Sequence, residues 1–549
     1  MSALLAVLLP PLLALGLAGP APLRAAALRA APWAPLALGV ALLAGEGTAL
    51  DWPLLGMILG VDAVSRPVLV LTLVVWSLAG WFATRYVTER RRWFWAGWLG
   101  ALTGMQLVLL AGDIATFYVG YATLGVSAYL LVTHAADAGA WRAGRVYLVM
   151  ALAGEAALLS GLLLIAGSVG NASFAALAAQ PALVTESPAR WLLFAGFAVK
   201  LGILPLHVWL PLAHPVAPVP ASAILSAVIV KAGLIGWLRF VPALTDDPPA
   251  IGQALLALGL TTAFGGVALG LAQQRLKTVL AYSTISQMGL VLAGFALAFL
   301  LPGGRDAVLA VLGLLALHHG LNKASLFVAC GCAPGASRWR LLLFALPALS
   351  LAAAPLSTGF VAKVALKDAL AQAPLPSAAG LLLALTSTAT ALLMWKAFTL
   401  ARRQADTAVA PHPAWPLLVV AGAALPWGYA ALHGLAGVPA AGEIVQAAWP
   451  LLLAGVLVPA HRVVFGGRTL ALSEGDLVVP IERQLARLPR AVEPVAPAAA
   501  APTSRLALAA LGRWLLHAER AQRRMSVVGL ALLGVGLVLW TLGRWASGG

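Results

Sequence analysis

The sequence predicts an all-α protein that crosses a membrane many times, and three observations carry that prediction. Of its 549 residues, 61% are hydrophobic and 10% are charged, with a mean hydropathy of +0.94, well above the roughly half apolar content of a soluble domain. Windows of about 20 apolar residues recur over almost the whole length, each long enough to cross a hydrocarbon core of about 30 Å as a helix. The remaining charges sort by loop, one loop basic and the next neutral or acidic, as the positive-inside rule requires of a polytopic chain.

About 16 transmembrane helices are expected, near 3-19, 34-45, 61-87, 94-111, 114-133, 144-167, 190-213, 220-244, 249-272, 276-300, 306-333, 339-369, 377-401, 413-434, 443-466 and 524-545. The first, from Ala3 to Ala18, lacks a basic leading region and reads as a span rather than a cleaved signal. Loops after odd-numbered spans carry Arg24 and Arg29, Arg85 and Arg90 to Arg92, Arg142 and Arg145, Arg275 and Lys277, Arg338 and Arg340, then Arg402 and Arg403. Even-numbered loops carry Glu46 and Asp51, Asp113, Glu186 with Arg190, Asp246 and Asp247, and Arg305 with Asp306. Odd loops are therefore expected in the cytoplasm and the N-terminus outside, in a bacterial-type inner membrane.

Composition also excludes functions. The net charge of +16 does not point to nucleic acid, because no basic patch interleaved with aromatics stands in a polar domain; cytoplasmic loops supply the excess. Cys330 and Cys332 lie in an apolar helix and imply neither a disulfide framework nor a zinc site. The polar stretch at about 467-523 is expected to be a cytoplasmic linker, and 505-523 reads either as an interfacial helix or as a solvated segment. It is too small to hold a flavin or iron–sulfur cluster, and no dinucleotide-binding glycine fingerprint opens a βαβ unit. No cofactor or metal is expected on this chain, and any redox chemistry belongs to another.

The intramembrane ionisable residues are the informative exceptions. A charged side chain at mid-bilayer costs from about 3 to more than 10 kcal/mol, so such residues mark transport paths. Lys200 precedes Pro205, which cannot donate to the carbonyl of Leu201, so the seventh span is expected to break beside the lysine. Lys231 and Lys323 sit midway along the eighth and eleventh spans, with His319 one turn before Lys323 on the same face. Lys363 follows Pro355 in a second proline-interrupted span. Lysine suits proton passage and suits sodium badly, since an ammonium is a donor and alkali ions need oxygen ligands. His207, His214 and His318 read either as structural histidines or as accessory path members, and Ser283 and Gln287 either bridge water or bond to helix carbonyls. Lys277, Lys367 and Lys396, nearer helix ends, can snorkel instead.

The run VKLGILPLHVWLPLAHPVAPVPASAILSAVIVKAGLIGWLRF, followed by RLKTVLAYSTISQMG, HHGLNKASLF and PLSTGFVAK, resembles the antiporter-like subunits of respiratory complex I, the large subunits of Mrp-type cation/proton antiporters, and related membrane subunits of energy-converting hydrogenases. The resemblance implies two inverted five-helix repeats, 94-244 and 249-401, each with one discontinuous helix, between N-terminal helices in 1-93 and C-terminal helices in 413-466. It implies that Lys200 is the first-channel lysine, Lys231 the connecting lysine, Lys323 the central lysine beside His319, and Lys363 the exit-side residue. One departure stands out. Where the family usually has a glutamate facing the first lysine, this sequence has Ala122, and Glu155 on the sixth span is the expected substitute. The function implied is proton translocation within a multisubunit membrane complex, with other membrane subunits as partners. A proton-driven bicarbonate-uptake partner and a non-conducting scaffold subunit are the alternatives.

Overall fold

The computed structural model describes residues 1-45, 47-51, 56-185, 187-242, 247-301, 303-376, 378-406, 410-437 and 439-465, with positions 471, 472, 474 and 479. Glu46, Glu186, Asp246, most of the linker at 467-523 and the expected last span at 524-545 lie outside the described residues.

The chain opens with α1 (Ser2–Ala18), α2 (Ala21–Ala30) and α3 (Leu36–Ala44), then two short paired strands, β1 (Thr48–Leu50) and β2 (Met57–Leu59), which the hydropathy pattern did not announce. Long helices follow: α4 (Arg66–Tyr86), α5 (Arg91–Leu110), α6 (Ile114–Val132) and α7 (Ala138–Val169). Asp113 sets the start of α6, its Oδ1 accepting from the Thr116 amide at 2.8 Å, and Asp137 caps α7 by accepting from the Ala140 amide at 2.7 Å. Short helices α8 (Phe174–Ala179) and α9 (Ala182–Thr185) lead to α10 (Ala189–Leu201) and α11 (Trp209–Val216). Next come α12 (Val219–Ile224), a π-helical stretch at Leu225–Ile229, and α13 (Lys231–Phe240). The rest is helical: α14 (Pro249–Leu271), α15 (Leu276–Leu300), α16 (Arg305–Ala329), α17 (Arg338–Leu351), α18 (Thr358–Ala371), α19 (Ala378–Ala401), α20 (Ala414–Leu432) and α21 (Ala441–Phe465).

Eleven helices among the described residues are long and apolar enough to cross a membrane, or twelve if the pair at 21-33 and 36-44, bent by 55°, is one span. Of the expected sixteen, the last lies outside the described residues, the seventh and twelfth are each divided into two short helices, α10 with α11 and α17 with α18, and α1 is only 17 residues long.

Both divisions fall at the expected prolines. Gly202, at φ 74°, ends α10 in the left-handed conformation that glycine adopts at no steric cost, and the Gly202 and Ile203 amides both donate to the Ala198 carbonyl. The gap between α17 and α18 contains Pro355, with Ala353 and Leu356 at positive φ, and Ser357 Oγ restarts the helix by accepting from the Phe360 amide at 3.3 Å.

Burial locates the centre. In α15 and α16 the most apolar stretch is 94% and 89% buried, against 28% in α7 and 11% in the stretch 441-461 of α21. The buried lysines of α13 and α16 therefore sit in protein, not lipid. One unit, Met1–Thr48 with Ile58–Asp476, contains these helices; the second, Ala49–Met57 with Leu477–Gly549, lies mostly outside the described residues.

An acidic loop residue is consumed structurally. Arg190 Nη1 and Nη2 donate to Asp247 Oδ1 and Oδ2 at 2.8 and 2.5 Å, with side chains only 5% and 7% exposed, and Nη2 also donates to the Pro242 carbonyl. Removing one partner of a buried pair strands the other charge at a cost of about 3–5 kcal/mol. Arg190→Ala is expected to lower the melting temperature of the purified chain by several degrees; a wild-type melt would show that this pair does not hold the loop.

Candidate functional site

The first half of the site gathers around Lys200 in the last turn of α10. Its ammonium lies 4.7 Å from the centre of the Tyr121 ring of α6, a cation–π arrangement, and the residue is 5% exposed. Glu155 of α7 approaches it across Gly125 of α6. A Cβ at Gly125 would collide with Glu155 Oε1 and sit 3.4 Å from Lys200 Nζ, so the carboxylate and the ammonium lie within the sum of those two distances. Tyr121, Tyr147, Glu155, Lys200 and Trp209 line one small cavity. Tyr147 donates to the Gly125 carbonyl at 3.1 Å and Trp209 Nε1 to the Val199 carbonyl at 2.8 Å, fixing its walls. With Ala122, α6 carries no carboxylate; Glu155 of α7 is the acidic side chain that lines the cavity with Lys200.

At the centre, Lys231 Nζ and His319 Nδ1 are 2.5 Å apart, on helices 88 residues distant in sequence, and both residues are buried. At that distance one nitrogen donates a hydrogen to the other, and the imidazole tautomer sets the direction. The π-helical stretch just before Lys231 prepares this position. The Val230 amide donates to the Leu225 carbonyl, one residue beyond the α-helical partner, which leaves the Ser226 carbonyl for Lys231 Nζ at 3.2 Å. Ser226 Oγ meets Thr284 Oγ1 of α15 at 2.6 Å. Lys323, one turn after His319, donates to the Leu280 carbonyl at 2.7 Å.

The second half is organised by the break between α17 and α18. His318 Nδ1 lies 3.1 Å from Thr358 Oγ1, which contacts Ser350 Oγ at 2.9 Å and donates to the Gly422 carbonyl at 3.1 Å. Lys363 Nζ donates to Ser387 Oγ at 2.7 Å, to the Leu383 carbonyl at 3.4 Å and to Thr386 Oγ1. Gln287 Nε2 of α15 reaches Thr390 Oγ1 at 3.5 Å, and Thr390 donates to the Thr386 carbonyl at 2.8 Å. Hydroxyls on one stretch of α19 thus contact Gln287 at one end and Lys363 at the other. The sequence reading missed Thr386, Ser387 and Thr390, though four hydroxyls in TSTAT within an otherwise apolar helix were the available signal.

The other candidates fall around this line. His207 is fully buried near Tyr282, and His214 stacks on Phe327 with ring centres 4.6 Å apart. Lys277 donates to the Pro215 and Ala217 carbonyls, at the C-terminal end of α11 where carbonyls lack helical partners, rather than reaching along the bundle. Ser283 is buried with no partner for its hydroxyl among the described residues. No hydrogen bond among the described residues runs directly from Lys200 to Lys231, from His319 to Lys323 or from Lys323 to Lys363.

Apolar helices broken at two places, with buried lysines and a histidine packed between them, define a polytopic membrane protein that keeps costly charges inside its helix bundle. A profile of the family described as NADH:quinone oxidoreductase/Mrp antiporter, TM, matches residues 111–392, just over half of the chain, and the chain belongs to that family. It is 35% identical over 241 residues to hydrogenase-4 component B of Escherichia coli strain K12, across 42% of this chain and 36% of that protein. It is 29% identical over 375 residues to NADH-ubiquinone oxidoreductase chain 4 of Gadus morhua, across 66% and 78%. Against the Escherichia coli protein and two Mycobacterium tuberculosis relatives, the chain spans 36% to 46% of their length. Its fold is similar to that in the Mrp complex from Dietzia sp. DQ12-45-1b, with a TM-score of 0.68 at 22% identity over 98% of this chain and 62% of that one. It is similar also to a chain of the archaeal membrane-bound sulfane sulfur reductase, with a TM-score of 0.67 at 22% identity over 83% and 99%.

Proposed function

We propose that this chain is a proton-translocating subunit of a multisubunit membrane complex of the complex I, hydrogenase or Mrp kind. Protons pass along Lys200, Lys231, His319, Lys323 and Lys363, with water at the gaps, and Glu155 supports the charged form of Lys200. The observation that carries this reading is the 2.5 Å contact between Lys231 and His319 in a wholly buried site, an arrangement that holds and hands on a proton. About sixteen spans in two inverted repeats, an N-terminus outside and neighbouring membrane subunits complete the proposal.

Ala122 by itself gives some weight to a non-conducting scaffold. The place of Glu155 beside Lys200 favours conduction, because a carboxylate has been kept near the lysine from a different helix. The test is proton flux through the parent complex reconstituted in liposomes with a pH-sensitive dye inside. Glu155→Gln, nearly isosteric, is expected to lower flux about tenfold, equivalent to about 1.4 kcal/mol of lost support for the ammonium. Flux equal to wild type would remove Glu155 from the path.

A further inference from the structure

We propose that the space between α18, α19 and α21 is an aqueous vestibule open to the outer face, and that Glu443, with Asp368, accepts the proton that Lys363 releases into it. The inference rests on the proton-conducting reading above. The cavity measures about 310 Å³, room for on the order of ten waters, and its polar lining is Lys363, Lys367, Asp368, Ser387, Glu443 and Gln446.

Three helices contribute, and each does something different. From α18, Lys363 reaches the hydroxyls of α19 on one side and the cavity on the other. Lys367, one turn on, donates to Gln446 Oε1 and so bridges α18 to α21 beside the cavity. Thr388 of α19 donates to the Pro450 carbonyl of α21 at 2.8 Å, tying the third wall in place. That wall begins at Ala441, beyond the residues 111–392 that match the family. The cavity's far side is therefore a feature of this chain's C-terminal helices, not of the shared segment.

The acidic groups stand where a released proton would go. Asp368, Glu443 and Lys367 line the same cavity. Glu443 Oε2 accepts from the Ala440 amide at 3.1 Å, which caps α21 and leaves Oε1 free of that bond. The C-terminal end of α18 and the N-terminal ends of α19 and α21 border the uncharged loops after the twelfth and fourteenth expected spans, which the alternation of basic and non-basic loops assigns to the outer face. An N–H bond of the Lys363 ammonium breaks, its proton passes to a vestibule water, and the electron pair stays on the amine. The Glu443 carboxylate takes that proton as an O–H and yields it to bulk water, and Lys363 is reprotonated from the inner path.

Two measurements on the full chain in its assembled complex separate this inference from the reading beneath it. With Cys330→Ala and Cys332→Ala as background, Ala384→Cys on the cavity wall is expected to react with a charged, membrane-impermeant thiosulfonate added outside about tenfold faster than Ala397→Cys, which is fully buried in the same helix. Gly380→Cys, where an added Cβ meets nothing within 4 Å, serves if Ala384→Cys fails to insert. No reaction at either position, or reaction from the inner face alone, overturns the vestibule. Glu443→Gln keeps an oxygen for the Ala440 amide while removing the charge, and combined with Asp368→Asn it is expected to lower flux about fivefold and move its pH profile. An unchanged profile, with Lys323→Ala still blocking flux, overturns the role of Glu443 and leaves conduction standing; flux that survives Lys323→Ala overturns both.

Discussion

Replacing Lys323 by alanine is expected to cut proton flux through the assembled complex by about a hundredfold, the scale on which a positioned proton-transfer group acts. Lys323 is fully buried, lies one turn from His319, and is the ionisable side chain of α16 that reaches α15 by donating to the Leu280 carbonyl. The fold should survive, because that carbonyl also accepts from Thr284 Oγ1 at 3.1 Å and keeps a partner when the lysine is gone. Lys323→Arg sharpens the result. A guanidinium keeps its charge at every accessible pH and cannot pass its proton on, so a path that needs a neutral lysine stage is blocked as completely as by alanine. A path that needs only a fixed positive charge would run normally with arginine, and wild-type flux in both variants would end the conduction reading.

Gly359→Ala is the substitution expected to cost the most stability. Gly359 sits at the start of α18, directly after the break, where an added Cβ would run into the Ser350 carbonyl oxygen and stand 2.9 Å from His318 Cε1. A backbone carbonyl cannot swing aside as a side chain can, so relief requires α17 and α18 to separate. Overpacking a core costs about 1–3 kcal/mol, and a backbone collision falls at the upper end or beyond. The Ser350, Thr358 and His318 contacts at the same junction would open with it. The purified variant should melt well below wild type and lose flux together, whereas Gly380→Ala, with open space around it, should melt like wild type or slightly higher. Equal melts for both variants would show that the two half-helices are not packed this tightly.

Much of the architecture was legible in the chain because it rests on local chemistry. An apolar window long enough to span a bilayer needs no partner to be recognised, and a proline removes its backbone donor wherever it lies. Pro205 and Pro355 accordingly marked both breaks, and the four-residue spacing of His319 and Lys323 placed them on one helix face before any packing was known. Span counting was less secure for the same reason: a broken span is two short helices, and neither half passes a length test by itself.

The tertiary structure decided everything that depends on which helices meet. Hydropathy says that α7 and α10 are membrane helices, but only packing brings Glu155 up to Lys200, through the gap that Gly125 leaves in α6. Lys231 and His319 were separate candidates until α13 and α16 put them 2.5 Å apart, and the π-helical stretch that frees the Ser226 carbonyl for Lys231 has no propensity signature of its own. The α19 hydroxyls read as ordinary helix residues until α15 and α18 converge on them. By itself the sequence determined the class of protein, the two breaks and the costly charges, because burial and backbone bonding act on each segment alone. Which charges become neighbours was left to packing, because a contact between helices depends on shape and angle, which no single segment contains.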